Sequence, residues 1–562
     1  MEEQRLNGSG VMAEIAPPVH LDQRARMLVL GAVMTGLFLA SLDQTVVGTA
    51  LPRIVTDLNG NSLYTWVVTA YLLSSTITVP IYGKFSDVFG RKMMLLIGIS
   101  LFLVGSALSG LSQNMTELIL FRGLQGLGAG ALFPISLAII GDLFSPRERG
   151  KYQGMFTGVF GVSFLIGPFI GGWITDNISW HWVFYVNIPV GLFSLAVIAF
   201  ILPNFHPPIR ASWRDLDYLG IAVFTGGIVP LLLGLTNKVS SSGSVLPWTS
   251  FSVGGLMLIG AILIIAFLFV EARAKQPIIP LNLFRDRTFS ATNIAVFLLM
   301  FGMFASIIFL PRFYQAVRGY SATDSGYTIW PLLVGLIGSS IVSGIVISKI
   351  GRYKVILVGA MATFCIGGYL TTHLNATTSN IDLWFWMFLM GLGIGPAMSG
   401  FTIVVQNIVE RKDLGVATST LTFLRQIGGS VGLAVSGTLF SQTFAGDAAR
   451  VSAAHPAVAR ALRSHAQSAL TGVGLKTTLH HLLPSSLWPS IPSFVLGIDH
   501  AFSSGIADVF WLTFFSAIAA LAATFFIREV PLRGSVTVME EFSTAIPHAE
   551  NDPVLQQVAA AR

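Results

Sequence analysis

Residues 83–91 read GKFSDVFGR, and residues 344–352 read GIVISKIGR. In each, a glycine is followed by six residues and then Gly-Arg, at an offset of 261 positions (83 to 344). A second pair follows in the same order: GLGAG at 126–130 and GLGIG at 391–395, offset by 265 (126 to 391). Each has another glycine 24 positions after its first, Gly150 and Gly415, behind the charged clusters SPRERG and ERKDLG. One match in a glycine-rich chain decides nothing. Two in order, at nearly equal offsets, indicate an internal duplication.

Composition says what is duplicated. The 562 residues are 53% hydrophobic and 11% charged, with a mean hydropathy of +0.72; ordinary soluble domains carry about 25% charged residues. Apolar runs long enough to cross hydrocarbon as helices recur throughout. We place them at 27–50, 63–83, 93–111, 116–141, 152–173, 182–202, 217–236, 251–270, 288–310, 325–348, 353–373, 383–408, 414–440 and 502–527. The first lacks a signal-peptide cleavage pattern and reads as a retained span. The expectation is an all-α membrane protein of fourteen transmembrane helices: two six-helix bundles, 27–202 and 288–527, with two extra helices in a linker, 203–287. Residues 1–26 and 528–562 form polar tails, and 441–501 a long loop with an Ala-rich helical stretch near 452–473.

Of the 33 Lys and Arg, 23 fall on the side of the N-terminus. The positive-inside rule then places both termini in the cytoplasm and the loop outside, in a cell membrane.

Against this background Asp43, in FLASLDQTVVGTALP (38–52), is anomalous: it is the one acid placed well inside a span. A charge at a bilayer centre costs roughly 2.5–3.5 kcal/mol or more. Depth suggests what offsets it. Asp43 lies eight residues from Leu51, so ~12 Å below the outer end of its span. Arg122 lies six residues past Thr116 on the fourth span, ~9 Å below the same surface. The guanidinium is therefore expected to neutralise Asp43 directly or through Gln125, one turn deeper. A carboxylate facing a hydrated cavity is a proton site whose affinity follows its access; the bland reading is a structural acid bonded to backbone or Thr45. Gln44 joins Asp43, Gln125 and Arg425 as candidates for a substrate cavity. Arg425, in TFLRQIGGSVG (422–432), has no matching acid in the second half; it either tunes substrate charge preference or bonds to backbone carbonyls.

Gly83, Asp87, Gly90 and Arg91 form a link suited to a latch, because a carboxylate at a helix N-terminus gains only about 0.3–1 kcal/mol and must also let go. Gly167, Pro168, Gly171 and Gly172, in GVFGVSFLIGPFIGG (158–172), make a thin, kinkable helix. No GxxxxGK[ST] occurs, so no P-loop supplies energy. His480 and His481 lack ligand-spaced companions, so no metal site is expected. The lone Cys365 permits no intramolecular disulfide.

These stretches together resemble the major facilitator superfamily, and within it the fourteen-helix drug:proton antiporter branch of the EmrB/QacA kind. GKFSDVFGRK is similar to its loop 2–3 motif, RGLQGLGAG to its helix 4 motif and GPFIGGW to its antiporter motif. LDQTVVGTALP and SWHWVFYVNIPVG resemble segments of helices 1 and 6. The resemblance implies the major facilitator fold and no enzyme activity or cofactor beyond a proton gradient. It implies proton coupling by Asp43 and Arg122, a conformational latch at Gly83, Asp87, Gly90 and Arg91, and an antiporter hinge at Gly167, Pro168, Gly171 and Gly172. Gly48, Val88 and His181 depart from the usual Asn, Arg and Arg. The expected function is proton-coupled multidrug efflux of amphipathic cationic or neutral compounds. Its partners are small substrates, protons and membrane lipid, not nucleic acid; an extracytoplasmic adaptor stays open. Export of one natural product or lipid is the rival, and a membrane sensor or scaffold the rival of another class.

Overall fold

In hydrocarbon a backbone amide has no water to bond, so each apolar run must close its hydrogen bonds internally. The computed structural model describes residues 22–58, 63–203, 216–238, 246–462, 479–481 and 483–532, and contains no strand among them. The helices run α1 Gln23–Asp57, α2 Tyr64–Phe89, α3 Arg91–Leu111, α4 Met115–Leu143, α5 Pro146–Asn177, α6 Trp182–Tyr185 and α7 Asn187–Ile201. The inserted pair is α8 Tyr218–Asn237 and α9 Leu256–Glu271. There follow α10 Arg287–Ala316, α11 Ala322–Tyr327, α12 Trp330–Ile350, α13 Lys354–Thr371, α14 Asn380–Ile408, α15 Leu414–Ala454, α16 Pro456–Ala461 and α17 Ile491–Phe525. Several starts are fixed by side-chain caps: Asp22, Asn114, Asp217, Asp286 and Ser379 each accept an amide N–H from the first turn. We call the face where α1 begins the near face and the opposite one the far face.

Thirteen helical segments among the described residues are long and apolar enough to cross a membrane. The fourteenth expected span, 414–440, lies in α15, which falls outside that set. Its position explains why: α15 packs on α2, α4, α10, α14 and α17, so its buried Thr418, Ser419, Thr420 and Thr422 face protein rather than lipid.

The duplication is a structural one. Gly126 and Gly130 press on the α2 backbone at Tyr71 and Ser75, and Gly128 on α3 at Phe102. Gly391 and Gly395 press on α12 at Leu332 and Leu336, and Gly393 on α13 at Phe364. A Cβ at any of the six would meet backbone atoms, so glycine sets the helix spacing in both copies. The Gly-Arg turns match as well: Gly90 and Gly351 take φ of 97° and 74°, conformations that disfavour any side chain.

Three expected boundaries move. The 83–92 link is helical to Phe89, leaving Gly90 as a one-residue joint. The described residues of the loop 441–501 are largely helical, since α15 continues to Ala454 and the last helix begins at Ile491 rather than 502. Hydropathy falls at the polar ends of these helices while their backbone bonding continues. The Ala-rich stretch 452–473 breaks at His455 and resumes in α16; its residues 463–473 lie outside the described ones, as do most of both tails.

Candidate functional site

The Asp43 carboxylate lies between the near and far ends of α1, fully buried. Arg122 Nη1 donates to its Oδ2 at 2.6 Å and to Gln125 Oε1 at 2.7 Å. Gln125 Nε2 donates to Oδ1 at 2.8 Å. The sequence thus brought Asp43, Arg122 and Gln125 together correctly, by both routes at once. It missed Asn187, whose Nδ2 donates to Oδ1 at 3.1 Å and to Ser106 Oγ at 3.0 Å. Its signal was present, a second polar side chain inside SWHWVFYVNIPVG. Asp43 thus accepts three donated bonds, one each from Arg122, Gln125 and Asn187. The Tyr71 ring lies 4.1 Å from the Arg122 guanidinium and supplies a cation–π contact.

A cavity of ≈ 160 Å³ lies at the seam of the two bundles. Gln44, Ser41 and Tyr71 line it from the first bundle, Arg425, Gln426 and Thr422 from the second. Asp43 and Gln125 are absent from that wall: the rotation of α1 turns Gln44 to the cavity and Asp43 away, and Tyr71 stands between. The expectation that Asp43 and Gln125 face the cavity is therefore corrected, whereas Gln44 and Arg425 do face it. Arg425 Nη2 donates to Met398 O at 2.6 Å and Thr402 Oγ1 at 2.8 Å, so the residue bonds to a backbone carbonyl while facing the cavity.

At the near face, Asp87 accepts the amide N–H of Gly415 at 3.1 Å and of Val416 at 2.8 Å, the first turn of α15. Arg91 joins Asp87 at 2.5 Å and Asp142 at 2.8 Å. A Cβ on Gly83 would run into Ser419, and one on Gly415 into Asp87 and Arg91. The second copy repeats the geometry without the charge. Ser348, 261 positions after Asp87, accepts the Lys151 N–H at 3.1 Å at the start of α5, and Gly150 abuts Gly344. Gln153 Nε2 donates to Gln406 Oε1 at 2.8 Å, and Arg149 Nη1 to Gln406 O at 3.2 Å, beside them. These bonds hold the bundles together at the near face. Just outside α15, burial raises the Asp413 carboxyl above its usual range despite the attraction of Lys412.

The antiporter glycines divide. Gly167 and Gly171 receive Thr45 and Thr49 of α1, the latter also abutting Val46 O, whereas Gly172 faces open space. Helix α5 runs unbroken through Pro168. Among the described residues no cluster of three or more metal-ligating side chains occurs.

Two pseudo-identical membrane bundles clasped around a cavity describe a transporter rather than an enzyme. The comparisons agree. The Major Facilitator Superfamily model matches residues 33–433, and the chain belongs to that family. It is 41% identical over 419 residues to "Multidrug transporter protein MdtP" of Bacillus subtilis (strain 168), covering 75% of this chain and 76% of that one. "Multidrug resistance protein 3" of the same organism is 38% identical over 75% and 80%. Among solved structures, the proton:xylose symporter XylE shares the fold at TM-score 0.57 and 14% identity, over 91% of this chain and 98% of its own. The human organic anion transporter MFSD10 shares it at 0.56 and 16%, over 88% and 99%.

Proposed function

We propose that this protein exports amphipathic compounds in exchange for protons, with Asp43 as the proton site and both termini in the cytoplasm. The observation that carries the reading is the Asp43–Arg122 pair, one side chain behind the wall of the central cavity. In the near-face-closed state its carboxyl group is held by Arg122, Gln125 and Asn187. Displacing Tyr71 connects Asp43 to the cavity. A proton taken up there ends the attraction to Arg122 and frees the first bundle to rearrange. Names of relatives such as multidrug transporter and "Efflux pump dotC" favour export over import. The Phe and Met side chains of the cavity wall suit amphipathic bodies.

The experiment is proton flux. Proteoliposomes carrying an internal pH dye should show substrate-dependent proton movement, lost in Asp43→Asn. An Asp43→Asn protein that still concentrates substrate against its gradient with the same proton dependence overturns the coupling role.

A further inference from the structure

The charge of the cavity wall selects among substrates. No Asp or Glu lies among the residues lining the central cavity, but Arg425 does. Its Nη2 is occupied by Met398 O and Thr402, while its Nε is buried with no hydrogen-bond partner. The adjacent Gln426 also lines the cavity, and its buried, unpartnered Oε1 would accept an N–H or O–H from the ligand body rather than hold the anionic group. A guanidinium held in protein without a carboxylate is unfavourable, and a bound anion offsets that directly. Phe133, Phe160, Phe304, Met300 and Met303 make up much of the remaining wall and suit an aromatic or aliphatic body.

The positive charge continues outward. A second pocket of ≈ 330 Å³ between α2, α8, α10 and α15 shares Leu72, Thr76, Ser430 and Leu433 with the first. It is lined by Arg312, near the far end of α10, and again by no acid. Asp43, outside the wall, is paired with Arg122, over which the Tyr71 ring lies.

Resting on the transport reading, we propose that the site takes amphipathic organic anions, a sulfonate or carboxylate joined to an apolar body. The anionic group seats on Arg425 and leaves toward the far face past Arg312. This replaces the cationic or neutral substrates expected from sequence.

The test uses the purified full chain and three dansyl probes of one size: dansyl-taurine (sulfonate), dansyl-ethanolamide (neutral) and a dansyl-ethyltrimethylammonium (cation). Dansyl-taurine should bind tightest. Arg425→Gln should weaken it about tenfold, the loss of one hydrogen bond to a charged group, while the neutral probe changes less than about twofold. Arg312→Gln, on an exposed rim where folding is not at stake, should slow sulfonate association at low salt and not at high salt. Cation binding equal to sulfonate binding, or sulfonate affinity unchanged in Arg425→Gln, overturns the proposal. Selective sulfonate binding without proton-driven transport supports this site and removes the transport reading. Proton-driven transport with no preference for the sulfonate does the reverse.

Discussion

Replacing Asp87 by Asn should open the near face. The carboxylate accepts two amide N–H groups at the start of α15, at 3.1 and 2.8 Å. Asparagine fills the same space but keeps one neutral acceptor and turns an NH2 toward the other amide. A hydrogen bond to a charged group contributes about 1.5–3 kcal/mol, and the helix terminus adds about 0.3–1. The closed state should therefore lose about 2–4 kcal/mol, or ~30-fold or more in population ratio. An open state at about 1% would rise to about a quarter or beyond. The first bundle should remain folded, because Arg91 keeps Asp142 at 2.8 Å. Spin labels at the exposed positions 93 and 412, on opposite bundles, would report the distance in a Cys365→Ser background. A longer-distance population should appear in Asp87→Asn and also in Gly415→Ala, whose new methyl would collide with Asp87 and Arg91. Distance distributions identical to wild type in both variants would refute the latch.

Arg122→Gln leaves the Asp43 carboxylate buried without its cation and should lower unfolding stability by about 3–5 kcal/mol; melting in detergent measures it, and Asp43→Asn in the same chain should recover most of the loss. Gly167→Ala should impair transport, since its Cβ runs into Thr45, whereas Gly172→Ala, facing open space, should leave it near wild type; vesicle uptake separates the two. Exchange of one anion for one proton moves two elementary charges, about 4.6 kcal/mol per 100 mV, so a potassium-diffusion potential, inside negative, should speed dansyl-taurine export strongly. Voltage-independent export of that probe contradicts the assignment.

Depth and repetition are what a membrane sequence reveals best. The hydrocarbon forces helices, so counting apolar runs gives the fold class, and the repeated Gly-Arg and GLGxG stretches mark the duplication. Equal depth likewise predicts the contact of Asp43 with Arg122. Rotation about a helix axis is not encoded in depth. For that reason the sequence does not reveal that Gln44, rather than Asp43, reaches the cavity, or that Tyr71 stands between. Asn187 had a visible signal, and Ser348 had one in the repeat, which sets it opposite Asp87; its bond to the Lys151 amide was not legible, because it depends on how the two bundles meet. Polar helix ends were misplaced because hydropathy reports the membrane, not the end of the backbone hydrogen bonding.

The continuation of α15 to Ala454 has a mechanical consequence. The fourteen residues past 440 reach ~21 Å beyond the expected span. There Ala448 packs with Val458, Leu462, Ile491 and Phe494 in a small core shared with the start of α17. Both helices belong to the second bundle, so this outcrop rides on it as a rigid lever. A tilt of ~10° at the seam would swing its tip by ~4 Å. An antibody fragment gripping the outcrop would amplify the motion and, by preferring one tilt, bias it.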